Sequence, residues 1–426
     1  MLKNIIRRYV TVNNIVKMQR RLDVQQPEVR DLLQQNVLDI CKVFERNNYE
    51  IRLIGGCVRD MLVKKQCKDI DLSTTATPDQ MIAIFKKNSI RYIETGLQHG
   101  TLTVHFNGSD YEITTLRIDV ETYGRAAKVE FTNDWRLDAE RRDLTVNAMS
   151  LDVEGNLYDY FDGEKDLQLG KVRFVGNPNS RIREDYLRIL RYFRFYGKIS
   201  PSAENHENET LTVIEELAPG LRHISVERVW MEVSKIMVGN LAPHLLQLMY
   251  RLNVASNIGL PDCQESYFQE FEKVWSRSRG SAIQPVCLIS TLVDNENQAS
   301  ELCLKWKVSN FERSLCCFIV SNRNVKGTDE QPLKAYQDII VRKNGNQIVE
   351  MVKQLLLYQG KIEESRVIET WNIPKFPVNG ADLKKMGVKP GPDFGKLMNS
   401  LKELWIESDF TLTKELLKEE FKRLQK

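Results

Sequence analysis

The sequence predicts an α+β protein: a head built on one small mixed sheet, then an all-α remainder. Three observations carry this. Strand-like alternation is concentrated before about residue 160. Helical spacing of apolar residues takes over after about residue 180. A glycine pair and an Asp-x-Asp alternation, at 55–56 and 69–71, sit inside the strand-rich part.

The elements follow in order. Apolar residues at 32, 33, 37, 40, 43 and 44 predict a helix over 31–47. Ile51–Ile54 runs into Gly55-Gly56 as strand then turn, and Asp69–Leu72 alternates as a strand. Pro78 opens a helix with Thr77 as its N-cap. Residues 101–106 and 111–118 are strands joined by Asn107-Gly108, a hairpin signal. Helices are expected at 221–237, 244–252 and 414–424. Residues 204–210 read as a polar loop, and 276–281 and 324–332 as candidate boundaries.

The 426 residues suffice for about three domains. Hydrophobic residues at 42% and charged residues at 28% exclude collagen and low-complexity disorder. No run approaches the ~18 uncharged apolar residues that span a bilayer, so no membrane partner is expected. Net charge is +3, so any surface for nucleic acid must be local. The eight cysteines form no C-x-x-C and read as reduced thiols. Before Asp23 there are six Lys or Arg and no acid, interleaved with Ile and Val. That reads as a mitochondrial transit segment over 1–30. Met18, inside it, would serve as an alternative start for cytoplasmic and nuclear supply.

Chemistry concentrates in three stretches. In the first, Gly55-Gly56 after an apolar strand lets backbone N–H groups approach a phosphate, and Arg59 can neutralise its oxygens. Asp69 and Asp71, two apart on a strand, share a face, and Mg²⁺ takes such oxygen ligands. Two Mg²⁺ ions about 4 Å apart would activate a hydroxyl and stabilise a leaving phosphate. The second stretch is Arg141-Arg142-Asp143-Leu144-Thr145-Val146-Asn147, able to grip sugar and triphosphate or simply to open a charged helix. The third runs from Arg181 to Arg194. On a helical wheel, Asp185, Arg188, Arg191 and Arg194 fall on one half and Tyr186, Ile189, Leu190, Phe193 and Tyr196 on the other, while Leu187, Tyr192 and Phe195 break the pattern and partly cover the polar face. Arginines at 183, 188, 191 and 194 point to an anionic ligand.

The first stretch resembles the nucleotidyltransferase head of the DNA polymerase β superfamily. The three together resemble the class II tRNA nucleotidyltransferases, the CCA-adding enzymes, of the eukaryotic mitochondrial and cytosolic type. Gly163-Glu164-Lys165-Asp166-Leu167, Ser225-Val226-Glu227-Arg228 with Glu232 and Lys235, and 376–383 match further family motifs. The resemblance is dense from about 50 to 240 and implies a polymerase β-like head at 31–170. It further implies a base-recognising neck at 171–240, a helical body at 241–340 and a tRNA-binding tail at 341–426.

By that resemblance, Gly55, Gly56 and Arg59 contact the triphosphate, and Asp69 and Asp71 hold Mg²⁺. Glu112 supplies a third carboxylate, with Asp110 the alternative. Arg142, Asp185, Arg188, Arg191 and Arg194 bind nucleotide, and Asp143 and Asn147 support sugar or structure. Asp185 with Arg188 acts as a protein template for CTP and ATP. An acceptor beside a donor suits cytosine and adenine, whereas uracil and guanine leave buried groups unpaired at roughly 1–3 kcal/mol each. Residues 117–131, centred on Gly124, match a flexible loop tied to the change from C to A. The tRNA partner is least visible: Lys384, Lys385, Lys389 and Lys396 could track phosphates. Monomer and homodimer both stay open.

Two other readings compete. A bacterial-type poly(A) polymerase shares the head motifs, but Thr95–Thr101 lacks the arginine pair of those enzymes. A non-catalytic RNA-binding protein with a dead head conflicts with the intact Asp69, Asp71, Arg142, Asp185 and Arg188.

Overall fold

The structure, a computed structural model, describes residues 18–67, 69–123, 126–262, 264–388 and 391–424. Residues 1–17 of the expected leader, Gly124 in the expected loop and Lys389 in the basic cluster lie outside the described residues. The chain divides into two compact units at Leu260–Pro261.

The first unit is built on an eight-stranded sheet. Its strands are β1 (Met18–Arg21), β2 (Ile51–Ile54), β3 (Asp71–Thr74), β4 (Arg91–Gly96), β5 (Thr101–Phe106), β6 (Ser109–Thr115), β9 (Ser150–Leu151) and β10 (Asn156–Tyr158). The spatial order is β1-β10-β9-β2-β3-β6-β5-β4. Among the described strands only β3 and β6 pair in parallel. The hairpin between β5 and β6 turns at Asn107 and Gly108, both at positive φ, as a type I′ turn demands. All four β2 residues are buried, Arg52 included, whose guanidinium lies over the rings of Trp135 and Tyr158.

Two expected elements divide. The strand expected over 111–118 ends at Thr115 because buried Leu116 turns its N–H to the Thr74 carbonyl and its own carbonyl to Thr132. The next strand, β7 (Arg117–Tyr123), pairs with β8 (Ala126–Phe131) as a separate ribbon. The helix expected over 31–47 is two helices, α1 (Pro27–Leu32) and α2 (Gln35–Glu45). Leu33 leaves the helical region at ψ +48° and closes the first turn back to Val29.

Helix α3 (Gly56–Leu62) follows β2 directly. Helix α4 (Pro78–Lys87) opens on Thr77, the expected N-cap, which forms a capping box with Gln80. Phe44 of α2 meets Phe85 of α4 edge to face at 5.8 Å. Helices α5 (Trp135–Glu140) and α6 (Gly163–Gln168) complete the head.

Beyond it lie α7 (Pro178–Glu184), α8 (Leu187–Ile199), α9 (Asn208–Leu217), α10 (Val226–Met237) and α11 (Ala242–Arg251). The single helix expected through 181–194 is therefore interrupted. Asp185 is extended at φ −156°, ψ 106°, and its carboxylate caps the Leu187 N–H that opens α8. The helix expected from 221 starts only at Val226, after a 3-10 segment.

The second unit is helical throughout its described residues. One of its cores joins Val341, Val378, Leu383, Leu401, Trp405, Leu417 and Phe421. In the 376–383 motif, Asn379 and Asp382 form a capping box that seats Leu383 in this core.

Candidate nucleotide site

The two glycines after β2 do different work. Gly55 sits at φ +68°, ψ −120°, where an L side chain is strained, and a Cβ there would stand 3.3 Å from the Arg142 guanidinium. Gly56 opens α3 with ordinary room around it. The turn aims α3 so that Arg59 is buried beside the sheet.

Asp71 is the first residue of β3 and the parallel register partner of Glu112 on β6. Burial pushes the Asp71 carboxyl up to about 6; the charge on Glu112 adds, Arg142 opposes, and Asp69 adds. Asp69 does not share the strand with Asp71, as its spacing had suggested. It precedes β3 and is exposed. Among the described residues, no three His, Cys, Asp or Glu side chains converge as a ligand cluster. What remains is a pair of hard carboxylates in register with a third nearby, and mutual repulsion that a divalent cation would relieve.

A chain of polar contacts ties this corner to α8. Arg59 donates to Asn147 Oδ1 and pairs with Asp60 at 2.9 Å. Asn147 Nδ2 donates to Asp143 at 3.4 Å, and Arg191 Nε donates to Asp143 at 2.5 Å. Burial works against the Asp143 charge, but Arg191 outweighs it and holds the carboxyl below its usual range. Asp143 and Asn147 thus act as supports for two arginines. Asp138, buried and not anticipated from sequence, binds Arg141 at 2.8 Å, Arg142 at 3.1 Å and the Arg117 N–H at 3.2 Å.

Between α7 and α8, Asp185 is gripped by Arg228 of α10, at 2.6 and 3.3 Å. The expected couple of Asp185 with Arg188 is not formed. Arg188 donates instead to Glu184 at 2.5 Å and to the carbonyls of Arg181 and Arg141, each at 3.0 Å. Arg194 pairs with Glu232 at 3.1 Å. Phe195 lies under three guanidinium groups, those of Arg59, Arg191 and Arg194. Arg183 is exposed, bonds Asn179 and leaves the cluster.

These groups line one cleft of about 680 Å³. Gly55, Gly56, Arg59, Asp71, Arg142, Asp143, Asn147, Asp185, Arg188, Arg191 and Arg194 all reach its wall, joined by Arg228. Asp69 and Glu112 flank Asp71 without lining it.

A model described as the poly A polymerase head domain matches residues 51–173, and one described as a probable RNA and SrmB-binding site of polymerase A matches 206–262. The CCA tRNA nucleotidyltransferase 1, mitochondrial, of Homo sapiens is 45% identical over 400 residues, which are 93% of this chain and 92% of that one. The chain belongs to the CCA tRNA nucleotidyltransferase family. The CCA-adding enzyme of Bacillus cereus (strain Q1) is 28% identical over 89% of this chain and 96% of its own length. Among solved structures, the Bacillus stearothermophilus CCA-adding enzyme in complex with CTP superposes with a TM-score of 0.75 over 94% of this chain and 98% of that one. At 24% identity that likeness speaks for the fold.

Glu184 and Phe195 line the cleft without a sequence expectation, Asp138 stands behind Arg141 and Arg142, and Arg228 was expected only as part of a family motif. Two carried a local signal: Asp138 lies four residues before Arg142, and Glu184 four before Arg188, the reach of a helical ion pair. Arg228 carried none as a partner, because its contact spans 43 residues.

Proposed function

We propose that this protein is a CCA-adding tRNA nucleotidyltransferase that extends tRNA 3′ ends with C, C and A from CTP and ATP, without a nucleic-acid template. One observation carries the reading. A single cleft holds a catalytic-type carboxylate at one end and an acid held by a guanidinium at the other. The names of its relatives and the head match agree with it.

The chain's residues divide the work. Gly56 and Arg59 take the triphosphate, with Arg142 beside them. Asp71, with Glu112 and Asp69, would hold Mg²⁺, which when bound lowers the barrier to attack by a hydroxyl and to departure of a phosphate. The register supports Glu112 over Asp110, since Asp110 is occupied by His105 at 2.8 Å. The primer 3′-OH attacks the α-phosphate, and pyrophosphate leaves in line.

Base choice rests on lone pairs and N–H groups left over. Asp185 Oδ1 accepts from Leu187 N and Arg228, and Oδ2 from Arg228, so Oδ2 keeps an acceptor site for the amino group of C or A. Arg188 spends three of its five N–H groups on Glu184 and two carbonyls, leaving two for the ring nitrogen beside that amino group. Uracil and guanine reverse the order and strand both. The β7–β8 ribbon would serve the change from C to A.

The tail from 341 would track tRNA phosphates, a salt-sensitive contact. No described helix is long and apolar enough to cross a membrane. Relatives named mitochondrial support mitochondrial supply. A start at Met18 would retain β1 and suit cytoplasmic and nuclear supply.

The test is purified protein with Mg²⁺, CTP, ATP and tRNAs lacking zero to three terminal nucleotides. Restoration to CCA with a stop is expected. A long A tail would indicate a poly(A) polymerase, and no incorporation would refute the reading.

A further inference from the structure

We propose that a basic annex beside the nucleotide cleft receives the departing pyrophosphate. The inference rests on the reading above and adds a site to it. The annex is a cavity of about 520 Å³, walled by Arg59, Lys65, Arg194, Phe195, Lys198 and Lys235. It shares Arg59, Arg194 and Phe195 with the cleft.

Its charge is one-sided. Five cations line it and no carboxylate does. The acids that touch these cations from outside the wall are Asp60, at 2.9 Å from both Arg59 and Lys198, and Glu232, at 3.1 Å from Arg194. Two negative charges against five leave three positive charges uncompensated. Lys65 and Lys235 are exposed and have no carboxylate partner among the described residues. Burial lowers the Lys198 ammonium despite Asp60, and repulsion from Arg59 and Lys65 adds to it. Gly197 floors the annex where a Cβ would stand 2.6 Å from the Asn240 carbonyl.

Such a site suits a small polyanion rich in oxygen acceptors. Its position selects which one. The base end of the cleft is at Asp185, and the triphosphate end is at Gly56 and Arg59, so the annex opens beyond the phosphates. In the transfer, the primer oxygen bonds the α-phosphorus, and the bond from that phosphorus to the bridging oxygen breaks. Pyrophosphate leaves with that electron pair next to Arg59. Lys65, Lys198 and Lys235 are then the next cations it meets.

The test is the Lys65→Gln, Lys235→Gln double variant of the full chain, both surface positions outside the cleft. Added inorganic pyrophosphate is titrated against C addition to a truncated tRNA, and KM for CTP and for tRNA is measured in parallel. The inhibition constant for pyrophosphate is expected to rise about tenfold with KM for CTP within about twofold, the scale of two lost exposed charges. An unchanged inhibition constant overturns the assignment. If KM for tRNA rises instead, the annex serves RNA backbone phosphates, and the assignment is equally overturned. Wild-type protein that incorporates nothing would sink the function and this site together. Normal incorporation with unaltered pyrophosphate inhibition in the variant sinks this site alone.

Discussion

Arg228 reaches across 43 residues of sequence to hold Asp185, while Arg188, three residues from Asp185, turns to Glu184. The acid that would read the base is thus oriented by a different helix from the one it caps. Arg228→Leu should leave Asp185 free to rotate. The ratio of kcat/KM for CTP over UTP is expected to drop by about tenfold, a loss of roughly 1.4 kcal/mol of discrimination. Arg228→Lys should recover part of it. Steady-state kinetics with the four nucleotides decides; an unchanged ratio removes Arg228 from base selection.

Asp71→Asn should separate stability from activity. Its carboxyl is raised to about 6, so the folded protein binds more protons than the unfolded chain between about pH 4 and 6. Stability from this group therefore falls as pH rises through that window. Above it the ionised form is a liability, and Asn should stabilise metal-free protein by about 1–2 kcal/mol. Incorporation should drop at least about 10²-fold. Melting at pH 7.5 in chelator, alongside primer extension, gives both numbers; a lower Tm would contradict the repulsion argument.

Asp138 holds two arginines and a backbone N–H while 2% exposed. Asp138→Asn leaves two guanidinium groups short of a counter-charge. A cost of about 3 kcal/mol is expected, with the loss of Arg142 placement raising KM for nucleotide. Denaturant titration and KM measurement should show both effects. Wild-type stability would mean the arginines find other partners.

His206 packs flat on Tyr196 at 3.6 Å between ring centres, with Tyr192 on one nitrogen at 2.7 Å and His244 on the other at 3.3 Å. Burial lowers it to about 4, and His244 and Arg251 add to the effect. The unfolded chain then binds the extra proton, so stability rises with pH between about 4 and 6.5 and is lost as pH falls through that range. His206→Gln should flatten this dependence by about 1–2 kcal/mol after allowance for solvent screening. Tm profiles of both proteins from pH 4.5 to 7.5 provide the check, and parallel profiles would exclude His206 as the source.

What could be read from sequence was local. The turn at Asn107-Gly108, the N-cap at Thr77, and the glycine turn after β2 each depend on neighbours within a few residues. The break at Asp185 was hidden because apolar periodicity runs through it. It exists because Tyr186 packs where a Cβ on Gly220 would stand 2.1 Å from its ring, and because Arg228 claims the acid. Asp69 and Asp71 were legible as a pair, but the strand start that divides them depends on β2 and β6 alongside. His206 sits in a segment whose composition reads as a plain polar loop, and its burial comes from α8 and α11.

Strand β1 has a structural duty of its own. It sheathes one rim of the sheet, covering the three residues Asn156–Tyr158, and its Arg20 and Arg21 present charge to the outside. The opposite rim, β4, is guarded by a register irregularity and by Arg91 and Glu94, though Ile93 is 54% exposed. Trimming the chain past Arg21 would strip one guard and bare unpaired amides to any passing strand. Maturation that cuts ahead of Met18 would keep this rim sealed; a cut a few residues later would invite the chain to stick to its own kind.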